Sequence, residues 1–360
     1  MINDSFYLNL ALDAAWPFSF LTYPNPAVGA ILLDKHGAIL SIGAHKVKGS
    51  PHAELDAILQ ALHIENPGQE LSSSELYELA ITRKNALKDA SIYVTLEPCS
   101  HSGLTPSCSH LIQALGIKKV IYAASDKARG GEQFLREKGL ECSLCPDKAI
   151  QKRANTLLEP FLAWQDNRAF RFFKLALNRS ANPLGSVTCS ASRTMVHELR
   201  ARCDLLVTGG KTLREDRPIL DARLAGKGFW SEHELVAKEL LHSKPPNLCV
   251  KSRNPSALRD IPALFVPNRE VFYEEPKGAL NIMYEGGAGL LEALKDDIDW
   301  LLIFTSNKLG QNPSQQGSDL ASDLASSLAS EFLWTLNLEL EPLFEGKIGD
   351  ESFGYFRLKR

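Results

Sequence analysis

No apolar run in these 360 residues approaches the ~20 that a membrane-spanning helix needs. The opening Met1-Ile2-Asn3-Asp4-Ser5 has none of the basic residues that begin a secretory signal. Positive charge is not in excess: 40 Lys and Arg stand against 43 Asp and Glu, a net charge of −3. Proteins that hold nucleic acid or acidic membranes do so with a basic surface, so neither partner is expected here. The seven cysteines are scattered and odd in number, which does not read as a disulfide framework. A reducing compartment, the cytoplasm, follows as the expectation. Hydrophobic residues make up 44% and charged residues 23%, as in an ordinary globular protein. The length exceeds one usual core, so two domains are expected.

What the sequence does contain is a set of metal ligands. His52-Ala53-Glu54 stands upstream of Pro98-Cys99, and Cys108 follows Cys99 after eight residues. One imidazole and two thiolates supply three corners of a tetrahedral zinc site and leave the fourth for water, the layout of a catalytic zinc. Glu54, two residues past His52, can move protons without being a ligand. His-x-Glu followed by Pro-Cys and a second Cys marks zinc deaminases that act on amino-heterocycles. The nucleic-acid members of that group space their cysteines by two residues; here Gly103 and Pro106 make the longer segment a loop that returns to the metal. Cys108 then opens a helix over 109–115, where a thiol ionises more easily. The plain alternative is two unconnected buried cysteines, and His52-Ala53-Glu54 weighs against it. A second Cys-x-x-Cys, Cys142 and Cys145, reads as packing, because alternation in a strand sends the two side chains to opposite faces. His36, His45, His63, His233 and His242 read as surface or turn residues, and His101 lies in the zinc loop.

Thr95-Leu96-Glu97-Pro98-Cys99-Ser100-His101, Gly103, Thr105-Pro106 and Cys108 resemble the riboflavin-biosynthesis deaminase/reductase family. So does Tyr23-Pro24-Asn25-Pro26-Ala27-Val28-Gly29-Ala30. The likeness is specific in the first half of the chain and patchy in the second. It implies an α/β protein: an N-terminal three-layer cytidine-deaminase-like domain over 1–146, a connecting helix over 147–168 and a C-terminal dihydrofolate-reductase-like domain over 169–360. It implies Zn2+ and NADPH as cofactors, a phosphoribosylated aminopyrimidine as substrate and self-association. His52, Cys99 and Cys108 would be the ligands, Glu54 the catalytic proton shuttle, and Asn25 a wall of the pyrimidine pocket.

Periodicity predicts a helix from Asp4 to Trp16, capped by Asp4 or Ser5, and strands over 28–33 and 38–44 around the turn Asp34-Lys35-His36-Gly37. A helix follows over 53–62. The stretch 66–85 looks like an insertion with a surface helix over 74–80. Strand 118–124, helix 131–138 and strand 140–144 complete the first half. The rim loop Asp126-Lys127-Ala128-Arg129-Gly130-Gly131 departs from the family's pattern.

In the second half, strands are expected at 171–177, 204–208, 247–251, 263–266 and 279–284, with a helix over 192–203 and another over 290–294. Strand, glycine turn and helix is a common way to admit a phosphate to backbone N–H groups, and Glu285-Gly286-Gly287-Ala288-Gly289 has that form. By resemblance, Thr212, Asp216, Ser252, Gly287, Ala288, Gly289 and Leu290 would contact NADPH. Arg200, Leu220, Arg223 and Glu285 would hold the substrate, the two arginines suiting a phosphate. The segment Asn178 to Thr188 lacks the Asp and the Trp expected there, with Ser186 at the Trp position. The alternative is therefore a deaminase with a non-catalytic second domain. Ser314 to Ser330 reads as a loop and a short amphipathic helix without chemistry.

Overall fold

A computed structural model of the chain describes residues 3–66, 71–100, 106–126, 130–177, 188–227, 240, 243–306 and 338–359. It divides into two compact units, Met1–Leu162 and Ala163–Arg360. Among the described residues, no helix is long and apolar enough to cross a membrane.

The first unit starts with α1 (Asp4–Ala15). Its cap is Asn3, whose side chain accepts from the Phe6 N–H at 3.0 Å. Asp4 and Ser5 do not cap because their side chains are engaged elsewhere, Asp4 with Tyr93 and Lys119, Ser5 with Asp147. The strands β1 (Gly29–Leu33) and β2 (Ile39–Ala44) form an antiparallel hairpin. Asp34 holds its turn, accepting from the His36 and Ala38 N–H groups at 2.8 Å each. Next come α2 (Ala53–Ala61) and α3 (Ser73–Ile81), the latter opened by a capping box of Ser72 and Glu75. Then follow β3 (Ser91–Val94), α4 (Cys108–Ala114), β4 (Lys119–Tyr122), α5 (Gly131–Glu137), β5 (Glu141–Leu144) and α6 (Lys148–Gln165). The sheet order is β2-β1-β3-β4-β5, with β3, β4 and β5 parallel.

The register shows how the layers stack. Ala30 pairs with Gly43, so those two point to one face, and Gly29 points to the other. A Cβ on Gly29 would lie 1.9 Å from the Ala11 carbonyl oxygen in α1, and one on Gly43 would lie 2.4 Å from the Ala57 nitrogen in α2. The two helices therefore cover opposite faces. Buried on both sides, β1 reads as a continuous apolar run, Gly-Ala-Ile-Leu-Leu.

The second unit contains β6 (Phe170–Leu177), α7 (Ser190–Arg202), β7 (Leu205–Gly209), α8 (Gly210–Asp216), β8 (Asn247–Lys251), β9 (Val271–Phe272), β10 (Asn281–Glu285), α9 (Ala288–Leu294), β11 (Trp300–Thr305), β12 (Leu340–Ile348) and β13 (Glu351–Leu358). Its eight-stranded sheet runs β12-β13-β11-β6-β10-β7-β8-β9. The strands from β11 to β9 are parallel, and β13 and β12 join antiparallel at one edge. Phe173, Leu175, Val207, Tyr284 and Ile303 belong to its core. The expected strand at 263–266 is instead a 3-10 turn, Pro262–Phe265, with Phe265 71% exposed. Proline at its start removes a ladder donor, and Phe265 has no sheet to cover it. The helix α8 and the last three strands were not anticipated. The expectations for Asn178 to Ser186 and for Ser314 to Ser330 fall outside the described residues, as do residues 67–70 of the insertion.

Candidate active sites

In the first unit, the end of β2, the start of α2 and the start of α4 converge. His52 is the N-cap residue of α2, and Glu54 lies in that helix's first turn. Cys99 follows β3, and Cys108 is the first residue of α4. The His52 Nδ1 lies 3.8 Å from Cys99 Sγ and 3.5 Å from Cys108 Sγ. Ligands at zinc–nitrogen and zinc–sulfur bond lengths and tetrahedral angles stand about 3.6 Å apart, so this donor set fits the ion. Among the described residues it is the one cluster of this kind. Cys142 and Cys145 are both buried outside it.

The electrostatics are those of a buried site. The hydrogen bond from Cys108 draws the Cys99 pKa down to about 4, and the Cys108 thiol is pushed up as the donor. The sequence expected the helix start to ease ionisation of Cys108; the neighbouring thiolate and burial outweigh it. A cation between the two would deprotonate both. Glu54 is 4% exposed, and its pKa rises to about 7, first by burial and then by the Cys99 charge. That value suits a group that must both take and give a proton at neutral pH.

Asn25, His45, His52, Glu54, Leu96 and Cys99 line the cavity beside these ligands. His45 corrects the sequence reading, because it is 3% exposed and part of the pocket. Its Nδ1 faces the Pro51 carbonyl at 3.0 Å, and a carbonyl only accepts, so Nδ1 carries the proton. Nε2 then accepts from Asn25 Nδ2 at 3.3 Å, which leaves the Asn25 carbonyl oxygen as an acceptor for the cavity. Burial, then His52, lowers the His45 pKa to about 3 and keeps the ring neutral. Its motif offered no sign of this, since a histidine after a strand has many uses. Glu97 is also buried there, accepting from the N–H groups of Asp126 and Glu132 at 3.1 and 2.9 Å. It ties down both ends of the rim loop, whose residues 127–129 lie outside the described residues. His36 and His63 are exposed, as expected; His101, His233 and His242 fall outside the described residues.

In the second unit a buried ionic cluster forms where β6, α7 and β10 meet. Arg200 grips Glu285 with two bonds, Nε to Oε1 at 2.5 Å and Nη2 to Oε2 at 2.9 Å. Lys174 Nζ stands 3.8 Å from Glu285 Oε2. Arg200 Nη1 also donates to the Asp221 carbonyl at 3.1 Å, and Arg223 pairs with the Asp221 carboxylate at 2.6 Å. Leu220 is buried, and its carbonyl accepts from Arg269. The four residues expected to hold substrate thus lie together. Arg200 is already paired with Glu285, and Arg223 is the more exposed arginine. Burial alone would raise the Glu285 pKa, but Arg200 overrides it and takes it to about 2. Lys174, Asp221 and His197, 3.7 Å from Asp221, were missed. The signal for Lys174 was a lone cation inside the apolar run Phe172-Phe173-Lys174-Leu175.

The residues expected at NADPH lie at or after the C-terminal ends of three neighbouring parallel strands, β10, β7 and β8. Thr212 is in α8, and Ser252 directly follows β8. Gly287 caps α9, which holds Ala288, Gly289 and Leu290. Asp216 is exposed at the far end of α8. A Cβ on Gly210 would lie 2.6 Å from Ser252 Oγ, so a larger residue there would displace the Ser252 side chain.

Residues 1–124 match the family described as cytidine and deoxycytidylate deaminase zinc-binding region. The RibD protein of Synechocystis sp. is 31% identical over 231 residues, which is 61% of this chain and 56% of that protein, so the match spans little more than half of that relative. The RibD protein of Haemophilus influenzae is 28% identical over 348 residues, 85% of this chain and 87% of that one. In fold, the chain resembles a diaminohydroxyphosphoribosylaminopyrimidine deaminase/5-amino-6-(5-phosphoribosylamino)uracil reductase from Thermotoga maritima, with a TM-score of 0.57, 22% identity and 99% of both chains covered.

Proposed function

We propose that the chain is a member of the RibD family and performs two successive steps of riboflavin synthesis, a hydrolytic deamination and a reduction. The first substrate is 2,5-diamino-6-(5-phosphoribosylamino)pyrimidin-4-one, whose ring amine is replaced by oxygen. The second step uses NADPH to reduce the ribosyl group to ribityl. We assign deamination to residues 1–146, reduction to 169–360 and the connection to 147–168. The observation that carries the reading is the cluster of His52, Cys99 and Cys108 at ligand spacing, with Glu54 buried in the first turn of the helix that His52 caps.

One imidazole and two thiolates favour zinc, whose contribution there is a water acidic enough to attack at neutral pH. Glu54 takes one proton from the attacking water and delivers it to the ring nitrogen. It then takes that water's second proton from the hydroxyl of the tetrahedral carbon and gives it to the leaving amine, which departs as ammonia while the C=O forms. Asn25 offers its carbonyl oxygen to a donor on the pyrimidine, and His45 holds that amide in place. In the second unit the hydride chemistry is that of NADPH, which Thr212, Asp216, Ser252 and the turn 287–290 would orient. Arg223 offers its guanidinium to the substrate phosphate, while Arg200 and Glu285 hold each other in the pocket wall. The seven free cysteines support a reducing, cytoplasmic location. Self-association belongs to the same proposal by resemblance.

The test incubates purified protein with the phosphoribosylated diaminopyrimidine, with and without NADPH, and reads products by mass spectrometry. Deamination alone without NADPH, then a reduced product with it, is the expected result. Deamination unchanged by NADPH would overturn the reductase half. No product in either tube from a zinc-loaded protein would overturn the substrate.

A further inference from the structure

We propose that Asp56 is the positioning residue of the deaminase pocket. Its carboxylate ties the strand end that carries His45 to the helix that carries His52 and Glu54. The inference rests on the deaminase reading of that pocket.

Asp56 follows Glu54 by two residues in the first turn of α2 and is buried. Its own N–H donates to the His52 carbonyl at 2.8 Å, so it is bonded directly to the backbone of a metal ligand. Its carboxylate meets three further donors. The Ala44 N–H reaches Oδ2 at 3.0 Å, Lys46 Nζ reaches both oxygens at 2.8 Å, and Gln60 Nε2 reaches Oδ2 at 3.1 Å. Ala44 and Lys46 are the two chain neighbours of His45. One buried carboxylate therefore binds the backbone on one side of the residue that aims Asn25 and the side-chain ammonium on the other. The same residue is anchored to the turn that aims His52 and Glu54.

The contact leaves little room for error. Gly43 brings β2 within backbone distance of α2, since a Cβ there would lie 2.4 Å from the Ala57 nitrogen. Steric contact stops the two elements from closing further but does not stop one sliding along the other. The bonds of Asp56 link β2 to the first turn of α2, and sliding would have to break them. A shift of about 1 Å between Asn25 and Glu54 would misalign the ring with its proton donor, and displacements of that size cost about 100-fold in rate. Lys46 is nearly buried, with 13% of its side chain exposed, so it is held in place as part of the same clamp.

The test uses the full chain loaded with zinc and, separately, with Co2+, and compares Asp56→Ala, Asp56→Asn and Lys46→Met with the parent. Ammonia release is measured well below each melting midpoint. Asp56→Ala should lower kcat about 10- to 100-fold while metal stays stoichiometric, and it should shift the ligand-field spectrum of bound Co2+ as His52 moves relative to the two thiolates. Asp56→Asn keeps an acceptor for Ala44 and loses the charge opposite Lys46, so it should fall between Ala and the parent; Lys46→Met should fall there too. Parental kcat and Co2+ spectrum in Asp56→Ala, even with a lower melting point, would reduce the clamp to plain stabilisation and overturn the proposal. If the Ala variant does not fold, the isosteric Asn variant decides by the same two readouts. If the parent itself releases no ammonia, the deaminase reading fails, and the Co2+ spectra alone judge the positioning.

Discussion

In the first unit the clustered metal donors and Glu54 come from two short stretches, 52–54 and 99–108. In the second unit the charge cluster is built from Lys174, Arg200, Asp221, Arg223 and Glu285, spread over four separate parts of the chain. The first pocket surrounds a neutral His45, a Glu54 whose burial raises its pKa and two cysteines at metal-ligand spacing. The second holds full charges, balanced by contact between Arg200, Lys174 and Glu285. A metal site is specified by donor type and spacing. A charge cluster is specified by which side chains the fold happens to bring together, so it leaves no local signature.

The sharpest break between the two regions is Glu54→Gln. The amide cannot take or give a proton, so ammonia release should fall by about 10²–10⁴. Zinc content and NADPH oxidation on an already deaminated substrate should stay at the parent level. Ammonia release at the parent rate would remove Glu54 from its role.

Arg200→Ala tests the second region in the same way. It leaves Glu285 buried with Lys174 3.8 Å away. Removing one partner of a buried pair costs about 3–5 kcal/mol. Calorimetry should show a destabilised second unit, while zinc content and deamination persist. The charge pair also sets an acid limit. The Glu285 pKa is depressed from 4.5 to about 2, so its contribution is complete above about pH 4.5 and is lost as pH falls towards 2. Arg200→Ala should lack that limb.

The smallest effect is expected from Glu198→Gln. Glu198 in α7 is 0% exposed, and among the described residues neither carboxyl oxygen has a hydrogen-bond partner. Burial raises its pKa from 4.5 to about 8; the Gly226 N–H offsets this slightly without reaching hydrogen-bond geometry. The folded chain thus keeps a proton that the unfolded chain releases above pH 4.5. That contribution is full below about 4.5 and is lost as pH rises towards 8. Near pH 4.5 the two proteins should melt alike. At pH 8.5 the Gln variant should be more stable, by roughly 1–3 kcal/mol. Equal melting curves at both pH values would mean that Glu198 is not held neutral.

Much of the fold was legible because local patterns carried it. The helix α1 was read from Phe6, Leu10, Ala11, Ala14 and Ala15; it forms there, but the face it buries is Tyr7, Leu8, Ala11, Leu12 and Ala15, and Phe6 is exposed. Asp34 and Gly37 dictate a turn by their own chemistry, and the turn is there. The helix cap was read one or two residues late because Asp4 and Ser5 are drawn to partners, Tyr93 and Asp147, that lie far away in sequence. The 263–266 segment was read as a strand from its apolar residues, yet Pro262 and the lack of a neighbouring edge decided otherwise. His45 looked like a turn residue because its importance depends on Pro51 and Asn25, which the fold brings to its two ring nitrogens.

The sequence by itself singled out His52, Cys99 and Cys108 as a donor set, Glu54 beside them and a two-unit length, because donor type and spacing are local properties of the chain. Only the tertiary structure decided the state of those groups. Burial beside a thiolate moves Glu54 to a neutral pKa, a carbonyl at Pro51 fixes which nitrogen of His45 is protonated, and the meeting of β6, α7 and β10 pairs Arg200 with Glu285. Each of these depends on distances of 3–4 Å between residues far apart in the chain, and at that range burial and the identity of the neighbour set a group's charge.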